Sequence, residues 1–174
     1  MRVLRAIWSK LHVYVLWLLI SAIFWGWIFT LVADAPAAKK VTLLIYAPEC
    51  RETELDLELE KSIPAGIRQI RAHLFSYALF EEEDELSSAD LYVLPARDAS
   101  EMPAAFRPLP EELAEREGVF LADGTAYGLP VGGAAASFVG YPPGEDYYLF
   151  FGAKSGHIED GAALAVAEAF LALP

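Results

Sequence analysis

Residues 13–32, VYVLWLLISAIFWGWIFTLV, run for 20 positions without a charge, interrupted only by Ser21, Gly26 and Thr30. In a helix at ~1.5 Å per residue this stretch is about 30 Å long, the thickness of a bilayer's hydrocarbon core. It is apolar on every face, not along one stripe, so a water-soluble fold has no inexpensive way to cover it. The stretch predicts a transmembrane helix. It divides the chain into a stub at 1–12, the span at 13–32, a linker at 33–40 and a domain at 41–174.

Charge is split across that helix. The stub carries Arg2, Arg5 and Lys10 and no acid. From Val41 onward there are 8 Lys and Arg against 24 Asp and Glu, a formal charge of −16. A domain this acidic excludes nucleic acid as a partner and is repelled by anionic headgroups. The positive-inside rule puts the stub in the cytoplasm and the domain outside, although Lys39 and Lys40 oppose it mildly. The expected location is therefore the plasma membrane, crossed once, with the bilayer as the partner of residues 13–32.

A cleaved signal peptide is the alternative. Ala33-Asp34-Ala35 and Ala35-Pro36-Ala37 are small-x-small cleavage patterns behind a basic start. The 20-residue run exceeds the usual signal core, and Pro36 directly follows one of the two cut positions. Both points favour a retained anchor. Cys50, the one cysteine, lies too far from the apolar run for a lipid anchor and has no partner for an internal disulfide. It reads as a small residue at a strand end, with pairing between two chains as the alternative.

Beyond the linker, VTLLIYA (41–47) is an unbroken apolar run closed by Pro48, the pattern of a strand buried on both faces. ELDLELE (54–60) alternates like a strand but is composed like a helix. Leu55, Leu59 and Ile63 fall on one helical stripe, predicting a helix over 51–62. Residues 67–74 predict a strand facing inward through Ile70, Ala72 and Leu74. The acidic run 81–85 opens a short helix, and 90–95 (DLYVLP) is another strand. Pro110 starts an acidic helical piece. Residues 118–131 form a hairpin turning at Asp123-Gly124, 132–146 are loop, 147–153 (YYLFFGA) are strand and 159–173 helix. Strands alternating with helices predict an α/β domain around a mostly parallel sheet.

No signature of catalysis stands out. His12 belongs to the membrane interface, and His73 has no ligand at metal-binding spacing. Ser155 and His157, two apart in a turn, rarely present their side chains to each other, and helix capping by Ser155 or Asp160 explains the stretch better. The run 81–85 lacks the spacing and glycine of a calcium loop. Gly132-Gly133 is followed by neither Lys nor a hydroxyl, so it makes no phosphate loop. HExxH, CxxC and GxSxG are absent. No metal and no cofactor is expected, and an enzyme is not.

With the elements in order, the domain resembles one lobe of the type II extracellular solute-binding proteins that serve ABC transporters. VTLLIYA (41–47) is similar to their opening strand and ADLYVLPA (89–96) to a core strand. DGTAYGLPV (123–131) resembles the hairpin that precedes the crossing to the second lobe, and 147–173 resembles the returning strand, turn and packing helix. The second lobe is missing: only 132–146 fill its place. The resemblance implies a periplasmic-binding-protein-like lobe tethered to the membrane, which recognises a ligand or a membrane or envelope protein and is associated with transport. The alternatives are an uncharacterised extracytoplasmic enzyme or a solute-binding protein released by signal cleavage. No ligand residue is implied. The junction 128–148 combines small residues with Phe138, Tyr141, Tyr147 and Tyr148, the composition of a recognition surface, or equally of a core end capped by aromatics.

Overall fold

A computed structural model of the chain describes residues 10–33, 35–75, 88–159 and 161–174, without the side chains of 30–33 and 103. Arg2 and Arg5, the acidic run 81–85 with the helix expected there, and Asp160 lie outside the described residues. The chain divides into two compact units between Pro36 and Ala37.

The first unit is helix α1, Leu11–Ala33, 23 residues without an acid in its first turn or a base in its last. Within it, Leu11–Phe29 is long and apolar enough to cross a membrane. Length, composition and a position near the amino terminus suit a membrane span and a signal sequence alike.

The second unit is a mixed α/β fold. Strand β1 (Lys40–Ile45) leads through a two-residue strand β2 (Glu49–Cys50) into helix α2 (Glu52–Glu60) and back into β3 (Gln69–Leu74). Strand β4 (Leu91–Pro95) follows, then a single turn of helix α3 (Ala96–Ala99), a short β5 (Phe106–Arg107) and another short turn α4 (Glu111–Ala114). The hairpin is β6 (Phe120–Ala122) and β7 (Thr125–Pro130), and the chain ends with β8 (Val139–Gly140), β9 (Tyr147–Gly152) and helix α5 (Ala162–Leu171). The main sheet runs β3-β1-β4-β9-β7-β6, with β5 also on β9. β1 pairs in parallel with β3 and with β4. From β9 onward the pairing is antiparallel, so the expected parallel sheet is confined to β3-β1-β4. β9 can reverse because its apolar run satisfies a doubly buried strand in either direction.

Both faces of the sheet are covered. On one, Val41, Leu43, Ile45, Leu91, Val93, Leu149 and Phe151 meet Leu55 and Leu59 of α2 and Val166, Ala167 and Phe170 of α5 in a single cluster. On the other, Leu44, Tyr92, Leu94, Phe106 and Phe150 form a second, aromatic-rich cluster. Leu57, off the stripe of α2, is exposed. Asp123 and Gly124 both take positive φ, 49° and 78°, the left-handed pair that a tight hairpin turn requires. Residues 132–146, read from sequence as loop, contain one strand. β8 pairs with β2, and Ala135 and Ser137 donate backbone N–H groups to the carbonyls of Leu173 and Pro174.

Candidate functional site

In open α/β sheets the crevice beyond the carboxyl ends of the strands, where the strand order reverses, is the usual seat of a ligand. Here the chain runs from β1 to β3 on one side and returns to β4 on the other. A cleft of about 580 Å³ opens at that place, within the ordinary range for small-molecule sites. The stretch that leaves β1, Tyr46-Ala47-Pro48, lines it. Leu74 and Phe75, at the end of β3, form one wall. The other side is Arg97, just after β4, together with Pro142, Glu145 and Tyr147 from the segment that enters β9.

The register explains why these residues meet. Phe75 N–H bonds the Ile45 carbonyl at 3.1 Å, and Tyr46 N–H bonds that of Val93 at 2.9 Å, so the three strands end level. Ala96 N–H donates to the Asp146 carbonyl at 2.9 Å, which brings the segment before β9 over the start of α3. Tyr46 and Phe75 pack edge to face with ring centroids 6.0 Å apart. Tyr147 leans on Tyr141 with centroids 4.8 Å apart.

Arg97 is the cation of the cleft. Its Nε lies 3.0 Å from Asp98 Oδ1, and a terminal nitrogen lies 3.6 Å from Glu145. The Arg97 side chain is two-thirds exposed, so these ion pairs hold it loosely. The second oxygen of Asp98 is buried and accepts no hydrogen bond among the described residues. Burial, then Glu145, Tyr46 and Asp98, push the Tyr147 phenol up to about 12, so it remains a neutral hydroxyl throughout the physiological range.

Of the four aromatics named from sequence, Tyr147 alone lines this cleft. Tyr141 sits behind it, donating its hydroxyl to the Ala134 carbonyl at 3.0 Å, with burial raising its phenol well above the ordinary value. Phe138 packs half-buried against the α2/α5 cluster. Tyr148 faces the opposite side of the sheet, against Phe120 at 5.4 Å. Tyr147 and Tyr148 are consecutive in a strand, and period 2 sends them to opposite faces. Sequence reasoning missed Tyr46, Phe75 and Arg97. Their signal was positional, since each lies at or just beyond the end of a parallel strand.

The Ser155/His157 pair does come together, but through the backbone. Ser155 Oγ accepts the His157 N–H at 3.1 Å and donates a hydrogen bond to buried Asp90, whose other oxygen accepts Thr42 N–H at 2.9 Å. The His157 ring turns away, with Nε2 3.0 Å from the Ala37 carbonyl. Ser155 therefore fastens the exit of β9 to β4 and β1; the cap on α5 is Gly161, without a side-chain bond. Cys50, at the end of β2, is half-buried, and burial with Glu52 and Asp56 pushes its thiol up to about 11. No cluster of His, Cys, Asp or Glu suited to a metal ion occurs among the described residues.

No family model matches the chain, and none of the curated proteins matches it. Among solved structures it is similar to thiaminase I from Bacillus thiaminolyticus, at 19% identity and a TM-score of 0.35. The alignment covers 52% of this chain and only 28% of that one. A likeness this distant says nothing about substrate. It does correct one expectation. The neighbour is an enzyme, so the missing sequence motifs are no ground for holding that this domain is not one.

Proposed function

We propose that residues 37–174 form a small-solute recognition domain that α1 holds at the outer face of a membrane. In this reading it is a single lobe of the type II solute-binding design, and its partner is a membrane protein that takes the solute onward. The cleft carries the reading. It lies at the carboxyl ends of β3, β1 and β4, has the volume of a small-molecule site, and combines apolar walls with a few convergent polar groups. The positively charged stub and the acidic domain support the orientation.

Binding is tested on the full chain in uncharged detergent by saturation-transfer NMR against small anionic, zwitterionic, neutral and cationic solutes. At least one class should take up magnetisation from the protein and lose it in Ala47→Trp, which adds a bulky ring at a residue lining the cleft. Transfer to none of them, or transfer undiminished in the variant, contradicts the proposal. Orientation is tested at Cys50 with a membrane-impermeant thiol reagent on intact cells, after unfolding the surface proteins in place. Labelling that appears only on lysis would put the domain inside.

A further inference from the structure

We infer that the solute held by the cleft is a small organic cation, an ammonium group with an apolar collar. This rests on the cleft being a binding site and adds the chemical class of its ligand. Three of its lining side chains are aromatic, Tyr46, Phe75 and Tyr147. Aromatic faces attract cations, and quaternary ammonium groups are recognised by gathering several such rings around them. The charge balance points the same way. Arg97 is opposed by Asp98 at 3.0 Å and by Glu145 at 3.6 Å, so one cation faces two carboxylates. The buried Asp98 oxygen, which accepts no hydrogen bond among the described residues, adds negative potential at Tyr147. An anionic solute drawn to Arg97 would bring a third negative charge to a guanidinium already shared by two.

Beyond the rings, Ala47, Pro48, Leu74 and Pro142 offer methyl-sized apolar contacts and few competing donors. A methylated ammonium loses little hydration there, unlike a primary one. The whole domain adds its field, since 24 acids against 8 bases from Val41 onward concentrate cations at its surface.

Three probes of one shape separate the possibilities: choline, its neutral carbon isostere 3,3-dimethylbutan-1-ol, and the anion 3,3-dimethylbutanoate. Each is titrated calorimetrically into the full chain in uncharged maltoside detergent. Choline should bind on the order of tenfold or more tighter than the alcohol, and the carboxylate more weakly still. Arg97→Gln should tighten choline severalfold by removing the competing cation, and Glu145→Gln should weaken it. Both substitutions lie on exposed side chains, and an unchanged thermal melt confirms that the variants are folded. Equal binding of choline and the alcohol would mean that the cleft selects shape only. Preference for the carboxylate, abolished by Arg97→Gln, would make it an anion site. Either result overturns the cation and leaves solute binding standing. If choline fails to bind, the cation is again overturned; whether any solute is held is then decided by the broader NMR panel and Ala47→Trp.

Discussion

Cys50 and Gly152 show how much a single position is fixed by its surroundings. The Cys50 thiol is raised from 9.0 to about 11, first by burial and then by Glu52 and Asp56. Thiolate is the reactive form, so below pH ~9 the folded protein should alkylate on the order of 100-fold more slowly than the unfolded chain. The raised value also has a sign for stability. The neutral thiol is the form the fold favours, so its contribution is intact below pH ~9 and is lost as the pH climbs through about 11. Alkylation rates measured with and without denaturant across that range check both statements; equal rates at neutral pH would mean that the thiol is open. At Gly152 an added Cβ would stand 2.1 Å from the Ala89 carbonyl oxygen, a backbone atom that cannot swing aside. Gly152→Ala should cost at least about 1–3 kcal/mol in a denaturant melt. At Gly128 the obstacle is the Phe150 ring at 2.6 Å, a side chain, and the same change there should cost less.

Among the elements, α2 does more than cover the core. β3 is an edge strand, and its outward N–H groups at Ala72 and Leu74 donate to Asp56 and Glu52 of α2, each at 2.6 Å. An edge that would otherwise recruit another strand is thereby occupied. Asp56 has a raised pKa, mainly because it is half-buried. A carboxyl raised in the folded state favours folding when protonated, so its contribution falls as the pH rises from about 3.8 through the raised value. Asp56→Asn keeps an acceptor for Ala72 and removes the buried charge, so it should be neutral or mildly stabilising at pH 7. Asp56→Ala removes the acceptor and should cost about 1 kcal/mol. Equal melts for the two variants would rule out the edge-capping role. None of this was legible in ELDLELE, where composition gave the helix and Leu55 and Leu59 its buried stripe, but not the partners of its acids. Strands β1, β4 and β9 were legible because doubly buried strands write unbroken apolar runs. The direction of β9 was not, since the run reads the same in either sense. Leu74 was expected inside with Ile70 and Ala72, yet it ends β3 and opens onto the cleft at 39% exposure.

For the molecule as a whole, the membrane-length helix and the acidic domain can be read from sequence, whereas the cleft cannot. Its lining comes from four separate stretches, and register and the β3-β1-β4 order alone bring them together. The sequence drew attention instead to the aromatic junction at 128–148, of which the fold delivers Tyr147, with Glu145 and Pro142 beside it, to the cleft and turns Tyr148 to the other face. Phe138 and Tyr141 pack against the core, so replacing them by Ser should lower the melting temperature, contrary to what an open recognition surface would give. The two places are separated most directly by hydrogen exchange on the full chain, with and without saturating solute from the class that binds in the NMR panel. Protection should appear in peptides spanning 45–48, 74–75, 96–98 and 142–147, with 128–138 unchanged. Protection confined to 128–138, or none at the ends of β1 and β3, would contradict a binding cleft at the carboxyl edge of the parallel strands.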